Sequence, residues 1–515
     1  MVDAASRVFR TTAIASCLSL CLGVAAAAQQ AADAATLADF RRLLDEQKAA
    51  IEGQRALLEE HKRVLADQTR ELADLRKRLD ETGALALASH NQLAELQQKP
   101  PEPDVTAAVE ARLARVEQDV HKLPELTGRT VTAGEFPGSL RIPGTDAALK
   151  VGGLVRMTSI NSLDALGTDD KFVTSSIPVA GSEGAGKGDR TTYSARPSRF
   201  NFDLRTPTGV GAMRAFIEGD FAGSGNSLRL RHAYGQWRGV LLGQTWSTFS
   251  DPEAEPDGID FEGLNAISLF RQTQVRVTRS FGERLELAFA AENPAPDISA
   301  ADGSSVQGVN QVPDVIVRLR WTPGEKTLMH GPLLLGGALM RGGSHVQVAL
   351  LGRQVRGEYE PNATLSTGAF GYHFSGRIRS PWRGDRDRVL FAHASGWGIG
   401  RYITDLGSLG GQDAVYDPAT GTLQALPVFS AYAGYEHWWS PSLRSTATWG
   451  TVLVDNLDVQ AADALHRTDR ATLNLSWSPI PRIDVVSELL WGRRIDKDGQ
   501  SGEARQVQLG ANFRF

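Results

Sequence analysis

Arginine recurs at alternate positions in several short segments of the second half of this 515-residue chain. Arg199 and Arg205 flank one such run, and Arg318 and Arg320 alternate with apolar residues. A guanidinium group stays charged at physiological pH and binds a carboxylate through two parallel hydrogen bonds. The pattern therefore predicts one surface that attracts and orients anions. From the alternation we assign to it Arg156, Arg199, Arg205, Arg214, Arg229, Arg231, Arg276, Arg318 and Arg320.

One acidic segment, Ser250–Leu269, could oppose these arginines. Two arrangements are compatible with its composition. In the first, which we favour, the segment folds inward and places its carboxylates opposite the arginines across a constriction. In the second, it is a solvated outer loop whose acids bind divalent cations or bridge lipopolysaccharide. The acidic residues concerned are Asp251, Glu253, Glu255, Asp257, Asp260 and Glu262.

Other patterns that could carry chemistry are incomplete. Gly181–Gly188 approaches a phosphate-binding loop, but Gly188 stands where Ser or Thr should follow Lys187. The histidines never show metal-ligand spacing, and no nucleophile elbow occurs in the sequence. Cys17 and Cys21 are the sole cysteines, and they lie in an N-terminal segment that we expect to be removed. We therefore expect no catalytic residue, no metal site and no cofactor, and hence no enzyme.

Alternation of apolar and polar residues dominates the chain from residue 149 onward. In Val507–Phe515, for example, every second side chain is apolar or small, which is the period of a β-strand. The pattern predicts sixteen strands, enough for a water-filled barrel. The predicted strands cover 149–160, 196–205, 210–221, 228–237, 240–249, 270–280, 284–292, 313–322, 345–358, 365–376, 388–399, 426–437, 442–454, 470–478, 482–491 and 505–515.

Three features favour a membrane barrel over a soluble sandwich. The segments have the length that a tilted strand needs to cross a bilayer. Their polar faces carry arginine, which a dry sandwich core would not accept. The connections alternate between short and long, as in barrels with short periplasmic turns and long outer loops. Among the long connections we count Asp455–Asp469 and Gly492–Ala504, and we interpret 323–344 as a turn, with a further strand as the alternative.

The first part of the chain has a different organisation. Arg7 and Arg10 precede a short apolar run and small residues, which predicts a signal peptide over 1–28. A seven-residue repeat beginning at Leu37 predicts a coiled coil over 29–98. Its central polar layers, such as Gln54 and His61, favour a parallel homotrimer, although a loosely packed or transient coil is also compatible. A short helix and a Pro/Gly-rich linker then cover 99–144, and the barrel covers 145–515.

The ordered combination of these parts resembles the DcaP-like family of trimeric outer-membrane porins. The segments that carry the resemblance are Leu242–Phe249, Ile259–Gly263 and Arg271–Arg276, together with the terminal Phe515. It implies an all-β transmembrane barrel of about sixteen antiparallel strands, preceded by an α-helical trimeric coiled coil. It also implies a channel for small, mainly anionic solutes such as dicarboxylates.

From this we expect a Gram-negative outer-membrane porin for passive diffusion, with the coiled coil in the periplasm. The expected partners are a second and third copy of the chain, outer-membrane lipid and lipopolysaccharide, small anionic solutes, and the cell wall through the coiled coil. A net charge of −5 argues against nucleic acid. Two alternatives stay open: a trimeric envelope tether or adhesin with an incidental barrel, and a barrel-based outer-membrane hydrolase.

Overall fold

The computed structural model describes residues 133–323, 343–359, 363–380 and 386–515, together with Glu59, Lys77 and Arg112 as isolated helical positions. The chain divides into two units, Met1–Val120 and His121–Phe515. The predicted signal peptide, and the coiled coil apart from those isolated positions, lie outside the described residues. Within the described ranges, no helix has the length and apolarity needed to span a membrane.

Sixteen antiparallel strands form the body of the second unit, so the predicted number and order of strands are confirmed. The last strand pairs with the first, from Leu154 opposite Arg514 to Ser162 opposite Gln506, and this pairing closes the barrel. The strands are β1 Ala148–Ser162, β2 Arg199–Thr206, β3 Met213–Asp220, β4 Arg229–Trp237, β5 Val240–Trp246, β6 Arg271–Phe281, β7 Leu285–Glu292, β8 Asp314–Trp321, β9 His345–Tyr359, β10 Ala363–Arg379, β11 Arg388–Trp397, β12 Pro427–Trp438, β13 Leu443–Val454, β14 Leu465–Ile480, β15 Ile483–Asp496 and β16 Ser501–Arg514.

The two faces of the strands differ as the alternation predicts. On β16, Leu509 and Phe513 point outward and are 56% and 49% exposed. Gln508 and Asn512, each of which directly precedes one of these residues, point inward and are almost completely buried. An apolar outer band and a polar interior are the arrangement of a membrane-spanning barrel.

Short turns connect the strands at one end of the barrel, and long loops connect them at the other. The turn at Arg238 and Gly239 has positive φ at both residues, 49° and 83°, as in the two-residue hairpins that match strand twist. Two connections predicted to be long are shorter than expected, because strands extend into both of them. β14 begins at Leu465, and β15 and β16 pair as far as Ile495 opposite Ser501. The prediction fails there because strands that extend beyond the bilayer tolerate polar residues on both faces.

Several short elements accompany the sixteen strands of the barrel. Leu140 and Arg141 pair with the start of β1, so this part of the predicted linker lies against the barrel. The strand Arg190–Ser194 also pairs with β1, within a connection predicted to be a loop. At the long-loop end, Ile298–Ala300, Ala414–Asp417 and Thr422–Ala425 form a three-stranded sheet, and α1 covers Thr404–Leu409. Residues 324–342, and with them most of the predicted turn, lie outside the described residues.

An apolar core lies inside the barrel rather than between two sheets. It is built by residues of two long connections, including Phe249, Ile267 and Tyr402, packed against inward-facing strand residues such as Leu351 and Val428. Apolar contacts therefore fill the side of the lumen near β8–β14. The predicted arginines line the remaining side.

Candidate functional site

The connection from β5 to β6, Ser247–Phe270, folds into the barrel, and we call it the inserted loop. Its Phe249, Ile259 and Ile267 are each no more than 2% exposed. The Tyr432 hydroxyl on β12 donates a hydrogen bond of 2.9 Å to the carbonyl of Ala254. The loop thus has the first of the two arrangements considered from the sequence.

Three acids of the inserted loop attach it to the wall opposite the arginines. Asp251 contacts His345 Nε2 at 2.9 Å and accepts a hydrogen bond of 2.7 Å from Ser375. Asp257 forms an ion pair with Arg444 on β13. Asp260 pairs with Arg470 on β14 at 2.8 Å. The expectation that all six acids face the arginine wall is therefore wrong for these three, because the loop lies along the far wall and its acids bind there.

Two cavities remain between the inserted loop and strands β1–β8. The upper cavity, at the long-loop end, has a volume of about 320 Å³, and the lower cavity, at the short-turn end, about 710 Å³. Trp246 lines both, so it lies where the two meet. All nine predicted arginines line one or the other. Arg156, Arg199, Arg229 and Arg231 line the upper cavity, and Arg205, Arg214, Arg276, Arg318 and Arg320 line the lower one.

Carboxylates on neighbouring strands neutralise many of these arginines. In the lower cavity, Asp203 forms ion pairs of 2.8 Å with both Arg205 and Arg214. Arg318 pairs with Glu286 at 2.5 Å. These acidic residues of the barrel wall were not predicted from the sequence, although Asp203 stands on the same alternating face as Arg205. This wall of the lower cavity therefore carries ion pairs between neighbouring side chains, and not a series of isolated cations.

The same neutralisation occurs in the upper cavity. Asp220 pairs with Arg229 at 2.7 Å and with Arg231 at 2.8 Å. Glu218 pairs with Arg231 at 2.8 Å and lies 3.6 Å from Arg199. Cross-strand pairs of opposite charge stabilise the sheet, and they fix the guanidinium groups in position.

Arg271 and Arg276 are inward-facing arginines that form no ion pair with a carboxylate in the described part of the chain. Arg271 lines the upper cavity, and its guanidinium carbon lies 4.6 Å from the centre of the Trp246 ring. Arg276 lines the lower cavity. From the sequence, Arg276 was predicted to face the lumen but Arg271 was not. Arg271 stands at the beginning of β6, where the alternation no longer determines the direction in which a side chain points.

A β-bulge determines which residues of β4 point inward. Glu218 pairs with His232 and Gly219 pairs with Leu230, so Arg231 is an extra residue in the register. A bulge places two successive residues on one face of a strand. Arg231 and His232 are both buried accordingly, whereas strict alternation would turn His232 toward lipid.

The other three acids of the inserted loop line the cavities. Glu253 pairs with Arg320 in the lower cavity, and Glu262 pairs with Lys171 at 2.7 Å in the upper one. Glu255, in the upper cavity, forms no ion pair within the described ranges. Burial, followed by the negative charge of Asp257, raises the pKa of Glu255 to about 7.

A second connection, between β11 and β12, also enters the lumen. The Tyr402 hydroxyl donates a hydrogen bond of 2.7 Å to Asp314 on β8. Arg353 on β9 pairs with Asp314 at 3.1 Å and with Asp413 at 2.9 Å. Arg353 and these two acids have no exposed side-chain surface. No periodic pattern indicates this buried network, because its members come from distant segments of the chain.

Comparison with known proteins supports the same architecture. A family model described as DcaP outer membrane protein matches residues 139–334. The structure is similar to the outer membrane channel DcaP of Acinetobacter baumannii, with a TM-score of 0.61, 22% identity, and coverage of 75% of this chain and 100% of that chain. Comparison with curated protein sequences gives no match.

Likenesses to two further solved structures are weaker. An anion-selective porin from Comamonas acidovorans has a TM-score of 0.45 and 9% identity over 72% of this chain and 100% of that chain. OmpT of Vibrio cholerae has a TM-score of 0.43 and 9% identity over 73% of this chain and 99% of that chain.

The fold and its lumen define a porin-like transmembrane β-barrel. Within that class, the family match and the similar barrel confirm the resemblance to the DcaP family that the motifs indicated.

Proposed function

We propose that this protein is a diffusion channel with a preference for small anionic solutes. The observation that carries the proposal is the excess of arginine along both cavities. Arg271 adds a positive charge to the paired arginines of the upper cavity, and Arg276 adds one to those of the lower cavity. Neither has a carboxylate partner among the residues that the structure describes.

This excess positive charge acts on a solute inside the narrow lumen of the barrel. An ion interacts more strongly with a fixed charge in a narrow, protein-lined lumen than in bulk solvent, because the effective dielectric constant is lower. A channel also needs sites that are weak enough to release the solute. Arginines that are already paired with carboxylates provide such moderate attraction, whereas the unpaired Arg271 and Arg276 provide the net preference.

Selectivity in planar bilayers tests this proposal. Under a KCl gradient, the reversal potential of the purified protein should indicate a preference for chloride over potassium. Arg271→Gln and Arg276→Gln should each reduce that preference. Arg482→Gln is a matched control, because Arg482 is exposed in the turn between β14 and β15. A wild-type channel that prefers cations would refute the proposal.

Dicarboxylates are the solute class that we propose within this function. Guanidinium groups occur at intervals from the upper to the lower cavity, so a solute with two carboxylates could contact one arginine before it leaves the previous one. Liposome swelling rates for succinate, neutral sugars of similar size and cationic amino acids would test this. Equal rates for succinate and the cationic solutes would contradict it.

We further propose that the chain is exported with the signal peptide 1–28 and forms a homotrimer whose coiled coil lies in the periplasm. Outer-membrane lipid and lipopolysaccharide would surround the barrel, and the coiled coil could contact the cell wall. The heptad pattern from Leu37 to Leu93 supports a trimer contact. Deletion of 37–96 should lower the temperature at which the trimer dissociates, and an unchanged temperature would count against this role.

A further inference from the structure

Glu255 differs from the other acids of the inserted loop. Each of the other five contacts a basic side chain, which is histidine for Asp251 and Lys or Arg for the rest: Asp251, Glu253, Asp257, Asp260 and Glu262. Glu255 forms none within the described ranges, yet it lines the upper cavity together with Arg156, Arg199 and Arg231. Its carboxylate is therefore a negative charge that the loop supplies to a cavity rich in cations.

The groups around Glu255 retain unused hydrogen-bonding capacity. The Nε atom of Arg199 is buried and has no hydrogen-bond partner in the described structure. The same is true of the indole nitrogen of Trp246, which is 9% exposed and lies where the two cavities meet. Buried donors without partners are costly, so these two favour the arrival of an acceptor.

We propose that Glu255 is a specificity-determining residue, a tethered carboxylate that competes with solute carboxylates for the arginines of the upper cavity. An anion that enters must share Arg156, Arg199 and Arg231 with this internal competitor. The competition weakens binding and speeds release, which a channel requires. This inference rests on the anion preference proposed above and adds to it the residue that limits affinity.

Block of single-channel KCl current by sulfate, which carries two charges throughout the neutral range, tests the inference. Glu255→Gln should lower the half-blocking concentration of sulfate by at least about threefold, as expected from the loss of a repulsion of roughly 0.7 kcal/mol. Glu255→Asp keeps the charge and should stay within about twofold of wild type. Glu183→Gln removes one charge from an exposed loop and is the matched control.

The outcomes separate this inference from the proposed function. If Glu255→Gln and wild type show the same sulfate block while wild type prefers anions, Glu255 is not a competitor and the channel function stands. If wild type prefers cations, the proposed function fails, whatever the variant does. Should Glu255→Gln fail to fold, Glu255→Ala is compared with Glu255→Asp, and equal block by these two overturns the inference.

Discussion

Asp260 of the inserted loop and Arg470 of β14 form an ion pair of 2.8 Å in which both side chains are at most 2% exposed. Asp260 also accepts hydrogen bonds from the amide of Phe172 at 2.9 Å and from Gln508 at 2.8 Å. Three distant parts of the chain thus meet at one carboxylate. This contact holds the loop against the far wall and leaves the arginine side of the lumen open.

Asp260→Asn should release the inserted loop from β14. Removal of one partner from a buried ion pair costs about 3–5 kcal/mol, because the other charge stays buried without compensation. Single-channel recordings should show more frequent closures and a wider range of conductance levels. Asp302→Asn, at an exposed loop acid, is the control. Recordings that match wild type would show that the pair does not restrain the loop.

Simultaneous neutralisation of Arg229, Arg231 and Arg276 should reduce the anion preference more than Arg276→Gln alone. Arg229 and Arg231 each pair with Asp220, so their loss leaves that carboxylate without these partners, and Glu218 keeps only its 3.6 Å contact with Arg199. We expect the reversal potential to move to cation preference. Unchanged selectivity would exclude these arginines from the pathway.

Anion preference should increase as the pH falls from about 8 to about 6. Because the pKa of Glu255 is raised to about 7, mainly by burial, its carboxylate is charged above this pH and neutral below it. Neutralisation removes a negative charge that faces Arg156 on β1, Arg199 on β2, Arg231 on β4, Asp257 on the same loop and Tyr432 on β12.

Reversal potentials measured at several pH values check this dependence, and Glu255→Gln is the diagnostic comparison. The variant should show the low-pH selectivity throughout the range. A pH dependence that persists unchanged in Glu255→Gln would assign the titration to a group other than Glu255.

Gly239→Ala should destabilise the β4–β5 hairpin. Gly239 has a φ of +83°, and an added Cβ would lie 2.4 Å from the carbonyl oxygen of Thr278. A left-handed conformation costs a non-glycine residue about 1–2 kcal/mol, before this contact is relieved. Refolding yield in detergent, measured by heat-modifiable mobility, should fall. Gly235→Ala, which meets nothing within 4 Å, should refold like wild type.

Much of the barrel could be predicted because alternation is a local property of the chain. A lipid-facing residue must be apolar, and its neighbour faces a wet lumen, so each strand carries its own signal, as Leu509 and Gln508 illustrate. The ends of the strands were less predictable. Beyond the bilayer the constraint on the outer face disappears, and β15 and β16 continue where a loop was expected.

The site was only partly predictable for a similar reason. From the alternation, Arg205 and Arg276 were both predicted to face the lumen. The alternation does not indicate that Asp203 neutralises Arg205, or that Arg276 has no carboxylate partner in the described residues. Pairing depends on which side chains lie side by side across strands. The bulge at Arg231 likewise follows from the register of two strands, which neither sequence segment specifies alone.

By itself, the sequence determined the sixteen strands, the direction in which their side chains point and the family resemblance, since each follows from a local pattern of residue types. The tertiary structure alone decided the path of the inserted loop, the partners of its acids and the unpaired position of Glu255. Those features depend on contacts between residues far apart in the chain, such as Asp260 with Arg470, and the closed barrel is what brings them together.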